Sequence, residues 1–148
     1  MTIKHYIISA GLVLGFAAAT WSQLCSQALT LGTANAAVEI PKVSVDDVER
    51  LMADSTVRIF DANSKSLYAK GHVPGAVNLG FDAVSEKTLP ADKATKLIFY
   101  CMNEMCSASV EAARKASALG YSNVLHMAAG IKGWIKAGKP VESATRDN

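Results

Sequence analysis

The sequence predicts an α/β fold with a mainly parallel sheet. Short runs of bulky apolar residues alternate along the chain with segments whose apolar residues recur at helical spacing. Glycine, proline and other turn-forming residues separate most of these segments. One run, residues 96–100, is rich enough in bulky apolar groups to suit a strand that is buried on both faces, which is typical of parallel sheets.

The first residues have the three parts of a secretory signal. Lys4 supplies a short positive region, residues 6–19 are uncharged and apolar, and residues 34–36 (Ala-Asn-Ala) are the small residues that a signal peptidase recognises. The apolar run is shorter than the roughly 20 residues that a membrane-spanning helix needs. We therefore expect residues 1–36 to be a signal peptide that is cleaved after Ala36, and the protein to be periplasmic or extracellular. An uncleaved membrane anchor is the alternative.

The remaining chain has the size of one domain. We expect residues 37–142 to form that domain and residues 143–148 to be a flexible polar tail. The whole chain carries a formal net charge of +2 and no run of like charges, so nothing indicates nucleic acid binding or stable membrane insertion after cleavage. Cleavage would remove Cys25 and leave Cys101 and Cys106 in a compartment where disulfides persist.

The first predicted elements are a strand at residues 38–40, closed by Pro41, and a helix that Ser44 caps. Asp47 stands three residues after the cap, and apolar residues follow at helical spacing. A β-branched and aromatic run at residues 57–60 predicts the next strand. The N-terminal part of the domain therefore begins as strand, helix and strand.

Asp61 ends that strand, so its carboxylate is predicted to lie at the carboxyl edge of the sheet. A brief helix is predicted at residues 65–70, ahead of Gly71 and a dense group of turn formers. Residues 76–79 are predicted to return to the sheet. Residues 80–96 are mostly polar, which predicts a loop with about one helical turn near its start.

The strand at residues 96–100 leads directly into Cys101, and Ser107 is predicted to cap the helix that follows. Gly120 ends this helix. The remaining predicted elements are a strand at residues 123–127 and a helix at residues 131–137.

Cys101 combines two features that make a cysteine reactive. It lies at the carboxyl end of a predicted strand, where ligands bind in open parallel sheets. A helix begins a few residues later, so backbone N–H groups and the helix dipole can stabilise a sulfur anion. The thiolate is the nucleophilic form of cysteine. The alternative is that Cys101 is a small buried apolar residue that only completes the strand.

Two long motifs stand in order along the chain. Residues 60–79 begin with Phe-Asp-Ala-Asn and end with Tyr-Ala-Lys-Gly-His-Val-Pro-Gly-Ala-Val-Asn-Leu, and residues 98–141 run from Ile-Phe-Tyr-Cys through Leu-Gly-Tyr-Ser-Asn-Val and Gly-Ile-Lys-Gly-Trp to Gly-Lys-Pro-Val. Together they resemble the rhodanese-like domain family. The resemblance implies a small parallel sheet with helices on both faces. It also implies that Cys101 forms a persulfide and that the chain is a single-domain sulfurtransferase.

The loop after Cys101 departs from the family pattern. It lacks the basic residue that many thiosulfate-using members carry, and it holds Glu104 instead. Asn63 also replaces an arginine that often follows Asp61 by two positions. A dianionic donor such as thiosulfate would meet a carboxylate and no fixed cation, which favours a low-molecular-weight persulfide, a polysulfide or a protein partner as the donor. The residues of the active-site loop are Met102, Asn103, Glu104, Met105, Cys106 and Ser107.

Cys106 gives the loop a Cys-x4-Cys spacing that resembles one branch of the single-domain members. It can form a disulfide with Cys101, or attack a persulfide on Cys101 and release the outer sulfur. The alternative is that Cys106 only packs at the helix start. Two cysteines without a second ligand pair do not form a zinc site, and the expected reaction needs neither a metal nor a cofactor.

Four further residues are predicted to support the structure. Asp61 would cap its strand or orient the neighbouring loop, and His72 would order its turn through hydrogen bonds rather than act as a base. His126 is expected to be a partly buried residue with a hydrogen-bond partner, and Trp134 to belong to the core.

The hypothesis is an exported sulfurtransferase that moves sulfane sulfur from a small donor, through a Cys101 persulfide, to a thiol or cyanide. Two alternatives remain open: a thiol–disulfide redox protein that uses Cys101 and Cys106, and a non-catalytic binding module that borrows the fold. A phosphatase is disfavoured, because the first arginine after Cys101 is Arg114, within the predicted helix.

Overall fold

The computed structural model describes residues 39–143. The predicted signal peptide and residues 144–148 of the predicted tail lie outside the described residues. Every helix within the described range is too short or too polar to span a bilayer.

Within residues 39–143, four parallel strands form one sheet. The strands are β1 (Arg58–Asp61), β2 (Val77–Asn78), β3 (Leu97–Tyr100) and β4 (Val124–Met127). Their spatial order is β2-β1-β3-β4. Asp61 at the end of β1 lies directly opposite Tyr100 at the end of β3, so the residues that follow these strands emerge side by side. The predicted α/β class with a parallel sheet is confirmed.

Helices cover both faces of this sheet. The helices are α1 (Val45–Leu51), α2 (Lys65–Lys70), α3 (Ala108–Ala118) and α4 (Gly130–Lys136), with one turn of 3-10 helix at Phe81–Ala83. Phe60 and Phe99 point to one face, where they pack with the apolar side of α3. Ile59 and Ile98 point to the other face, where they pack with α1 and α4. Trp134 is fully buried on this second face, which confirms its predicted place in the core.

The predicted strand at residues 38–40 is wrong for the residues that the structure describes. The chain instead meets the sheet slightly later, where the His126 N–H donates to the Pro41 carbonyl at 3.0 Å and the Val43 N–H donates to the His126 carbonyl at 3.0 Å. Only a single bridge forms, between Lys42 and His126. Pro41 has no N–H to extend the ladder. The consequence is that Lys42 lies beside β4.

The two predicted helix caps have different outcomes. The Ser44 hydroxyl accepts a hydrogen bond from the Asp47 N–H at 3.1 Å, which confirms the first cap. Ser107 precedes α3 but its side chain makes no capping hydrogen bond. Its backbone is already helical (φ −80°, ψ −18°), whereas a capping serine needs an extended backbone to aim its hydroxyl at the first turn.

Candidate active site

Cys101 stands where β3 ends, at the carboxyl edge of the sheet. Cys101 is buried, with 2% of its surface exposed. Strands β1 and β4 lie on either side of β3. This is the edge at which open parallel sheets bind ligands. The predicted position of the cysteine within the fold is therefore observed.

The loop after Cys101 is closed by a disulfide between Cys101 and Cys106. The two Cα atoms are 6.3 Å apart, within the usual span for this bond. Met105, within the loop, is 93% exposed. The structure therefore represents the oxidised pair, in which Cys101 has no free thiol.

Asn103 organises this loop from within. Its backbone carbonyl accepts a hydrogen bond from the Cys106 N–H at 3.1 Å, and its side-chain Oδ1 accepts one from the Met105 N–H at 3.1 Å. In the oxidised loop these two N–H groups therefore donate to Asn103, whose side chain closes a local turn with the Met105 N–H. Stabilisation of a Cys101 thiolate by backbone N–H groups stays a prediction for the reduced loop.

The start of α4 holds the other side of the loop. The N–H groups of Ile131 and Lys132 donate to the carbonyls of Cys101 and Met102, at 2.9 and 3.1 Å. Gly130 begins this helix with a φ of 61°, and a Cβ added there would lie 2.6 Å from the Cys101 carbonyl oxygen. Only glycine tolerates both the backbone angle and the close approach. The loop is therefore fixed in position by main-chain groups of α4.

Asp61 is a fully buried carboxylate at the end of β1. It accepts hydrogen bonds from the Asn63 N–H at 2.7 Å and from the Tyr100 hydroxyl at 2.8 Å, and that hydroxyl in turn accepts from the Val73 N–H at 3.0 Å. Burial raises the pKa of Asp61, and these hydrogen bonds oppose the rise. Burial also raises the pKa of Tyr100, with the charge of Asp61 adding to the effect. The network ties the ends of β1 and β3 to the turn before β2.

His72 is buried among residues of its own turn. Its Nδ1 lies 2.9 Å from the Tyr68 carbonyl, and its ring stacks on the Tyr68 ring with centroids 3.7 Å apart. Its Nε2 lies 3.7 Å from a carboxylate oxygen of Glu142. These contacts favour the structural role over that of a catalytic base.

A cavity of about 480 Å³ opens beside the loop. Glu104 and Cys106 of the loop line it, together with Lys42 and with His126 of β4. Lys42 is thus a cation that lines the same cavity as Glu104, outside the loop that the sequence analysis considered. Sequence reasoning missed Lys42 because it lies far from the loop in sequence and arrives through its bridge to β4. The rest of the lining is Met105, Ser107, Val110 and Ala128.

His126 forms part of the wall of this cavity. Its Nε2 lies 2.9 Å from the Ser109 hydroxyl, and both residues are almost completely buried. Burial lowers the pKa of His126, and the charge of Lys42 adds to the effect, so both favour the neutral imidazole. Within residues 39–143, no three His, Cys, Asp or Glu side chains are grouped so as to hold a metal ion.

Comparisons with known proteins agree with the observed fold. The family model described as Rhodanese-like domain matches residues 44–137. Human thiosulfate:glutathione sulfurtransferase is 26% identical over 110 residues, covering 65% of this chain and 94% of that protein. A Bacillus halodurans crystal structure has a TM-score of 0.65 at 24% identity, over 70% of this chain and 77% of that one. A rhodanese-related protein from Thermoplasma volcanium has a TM-score of 0.60 at 20% identity, over 70% of this chain and 99% of that one.

Proposed function

The chain belongs to the rhodanese-like domain family, and we propose that it is a sulfurtransferase that carries sulfane sulfur as a persulfide on Cys101. The observation that carries the proposal is the position of Cys101 at the end of β3, followed by the loop that leads into α3. A thiolate at this edge of the sheet lies near the positive end of a helix dipole, which favours the anion. The human relative named as a sulfurtransferase supports the same reaction class.

The reaction has two displacement steps. The Cys101 thiolate attacks the outer sulfur of a small donor such as a persulfide or polysulfide, the sulfur–sulfur bond of the donor breaks, and the remainder leaves as a thiolate. An acceptor thiol or cyanide then attacks the outer sulfur of the Cys101 persulfide, and Cys101 returns as a thiolate. Both steps conserve electrons, so the cycle needs neither a metal nor a redox cofactor.

Loading with sulfur is expected only after the disulfide is reduced, because the oxidised pair leaves Cys101 without a thiol. Intact-protein mass spectrometry tests this with glutathione persulfide, polysulfide and thiosulfate as donors. Reduced protein should gain the mass of one sulfur atom with at least one donor, and oxidised protein should gain none. Cys106→Ala, which cannot close the loop, should load without prior reduction and keep its persulfide longer. Equal loading of the oxidised and reduced wild type would contradict the proposal.

The disulfide itself favours a second function, a thiol–disulfide redox protein. Such a protein needs both cysteines, whereas sulfur transfer through Cys101 needs only one. Cys106→Ala separates the two functions. Sulfur transfer should persist in this variant, whereas a thiol–disulfide redox protein would lose its activity when either cysteine is replaced.

We expect Glu104→Lys to strengthen the apparent affinity for thiosulfate about threefold to tenfold at low ionic strength, because it replaces a repulsive charge beside Lys42 with an attractive one. Salt should reduce the difference, since Glu104 is exposed. Steady-state kinetics at two salt concentrations measure it, with Glu104→Gln as the intermediate control. An affinity that is unchanged at low salt would show that Glu104 points away from the bound donor.

We also propose that the protein is exported and that residues 1–36 are removed. N-terminal sequencing of the protein from the cell envelope should begin at Ala37. Recovery of a membrane-bound chain that still begins at Met1 would favour the uncleaved anchor instead.

A further inference from the structure

The cavity beside the loop continues into a second one. The second cavity, of about 600 Å³, shares Lys42, Val110 and His126 with the first and is lined further along by Glu39 and Arg114. Together the two cavities form a groove between the extended segment at residues 39–42 and α3, which we call the α3 groove. One end of this groove reaches Cys106.

The two sulfur atoms of the disulfide differ in their access to this groove. Cys106 is partly exposed and lines the groove, whereas Cys101 is 2% exposed and is not part of the lining. Thiol–disulfide exchange begins when a thiolate attacks one of the two sulfurs, and access decides which sulfur is attacked. A thiolate that enters from the groove therefore meets the sulfur of Cys106.

The groove carries charges of both signs. Lys42 and Arg114 supply the cations, and Glu39 and Glu104 supply the carboxylates. Arg114 forms a salt bridge with Glu111 at 2.6 Å. Lys42 lines both cavities and belongs to none of the salt bridges found among residues 39–143. A ligand that complements this wall carries both a carboxylate and an ammonium group.

We propose that the α3 groove binds a small zwitterionic peptide thiol and directs its thiolate onto Cys106, which releases Cys101. This inference rests on the proposed function, because the released Cys101 is the sulfur carrier. Lys42 holds a carboxylate of the thiol, and Glu104 attracts its ammonium group. The groove is thus the site at which the oxidised protein is activated.

The exchange balances in two steps. The thiolate bonds to the sulfur of Cys106, the Cys101–Cys106 bond breaks, and its electron pair leaves on Cys101 as a thiolate. A second thiol then attacks the sulfur that the first thiol contributed, which releases a small-molecule disulfide and the Cys106 thiolate. Two thiols are oxidised to one disulfide, the protein disulfide is reduced to two cysteines, and the protons of the two thiols pass through solvent to those cysteines.

The first test identifies the attacked sulfur. Oxidised protein is mixed briefly with glutathione as the probe, quenched in acid and alkylated at low pH. A protease that cuts after glutamate separates the two cysteines, because Glu104 lies between them. We expect glutathione on Cys106 and the alkyl group on Cys101. Glutathione on Cys101 would overturn the proposal.

The second test asks whether the charge of Lys42 attracts the thiol. It compares the rates at which charged and neutral thiols reduce the disulfide at low ionic strength. Lys42→Glu should slow reduction by glutathione about fivefold and leave reduction by the neutral 2-mercaptoethanol unchanged. Lys87→Glu makes the same charge change at an exposed lysine that lines neither cavity, and it should change neither rate. Equal effects of Lys42→Glu on both thiols, or no effect on either, would overturn the proposal.

Glu104→Gln distinguishes a zwitterionic ligand from a simple anion. The loss of this carboxylate should slow glutathione, which has an ammonium group, and should accelerate 3-mercaptopropionate, which has none. A change in the same direction for both thiols would refute the zwitterionic assignment. Sulfur loading is measured separately on protein that a phosphine has already reduced, so failure at the groove is distinguishable from failure of Cys101 as the sulfur carrier.

Discussion

Cys101→Ser is expected to abolish persulfide formation and to lower sulfur transfer by at least about a thousandfold. A serine hydroxyl does not ionise near neutral pH and cannot form the sulfur–sulfur bond that stores the cargo. The residue is buried at the end of β3, and serine is close to cysteine in size, so the fold should remain. Intact mass after exposure to a persulfide donor and the steady-state rate of transfer to cyanide together measure the effect.

Cys106→Ala is the matched control for this variant. Both variants lose the disulfide, so a difference between them reports the loss of the nucleophile and not the loss of the cross-link. Cys106→Ala should retain transfer, and both should give similar circular dichroism spectra. Transfer by the serine variant at the wild-type rate would assign the sulfur carrier to another residue.

Gly130→Ala is expected to have the largest effect on stability, with a loss of about 2–4 kcal/mol in the free energy of unfolding. The methyl group would come 2.6 Å from the Cys101 carbonyl oxygen and 2.7 Å from the Asn103 nitrogen, and both are main-chain atoms that cannot rotate away. The backbone angle of Gly130 adds strain. Either the loop or the start of α4 must shift, so sulfur loading should fall together with the melting temperature.

Gly138→Ala separates the two contributions. Gly138 has a φ of 72°, close to that of Gly130, but a Cβ added there meets no atom within 4 Å. This variant should lose about 1 kcal/mol from backbone strain alone and keep normal loading after reduction. Thermal unfolding of the two variants and of wild type measures the difference. Equal destabilisation by both substitutions would show that the contact of Gly130 with the loop contributes nothing.

Most secondary-structure elements that depend on residues close together in the sequence were predicted correctly. The helix at residues 65–70 and the cap at Ser44 follow from side chains within a few positions of each other, and both are observed. The strand predicted at residues 96–100 is observed at Leu97–Tyr100, because its apolar side chains have no alternative to burial in the sheet. Two local predictions failed: the strand at residues 38–40 is absent from the described residues, and the helical backbone of Ser107 leaves its hydroxyl unable to cap α3.

The amino-acid sequence was enough to predict the α/β class, the order of the elements from α1 to α4 and the position of Cys101 after β3, because periodicity, turn residues and motifs are local properties of the chain. The surroundings of that cysteine could be seen only in the folded structure. Lys42 reaches the cavity through one bridge to β4, Gly130 lies against the main chain of the loop, and Cys106 is the accessible sulfur of the disulfide. Contacts between residues distant in sequence depend on how the helices and the loop pack on the sheet, which no local pattern encodes.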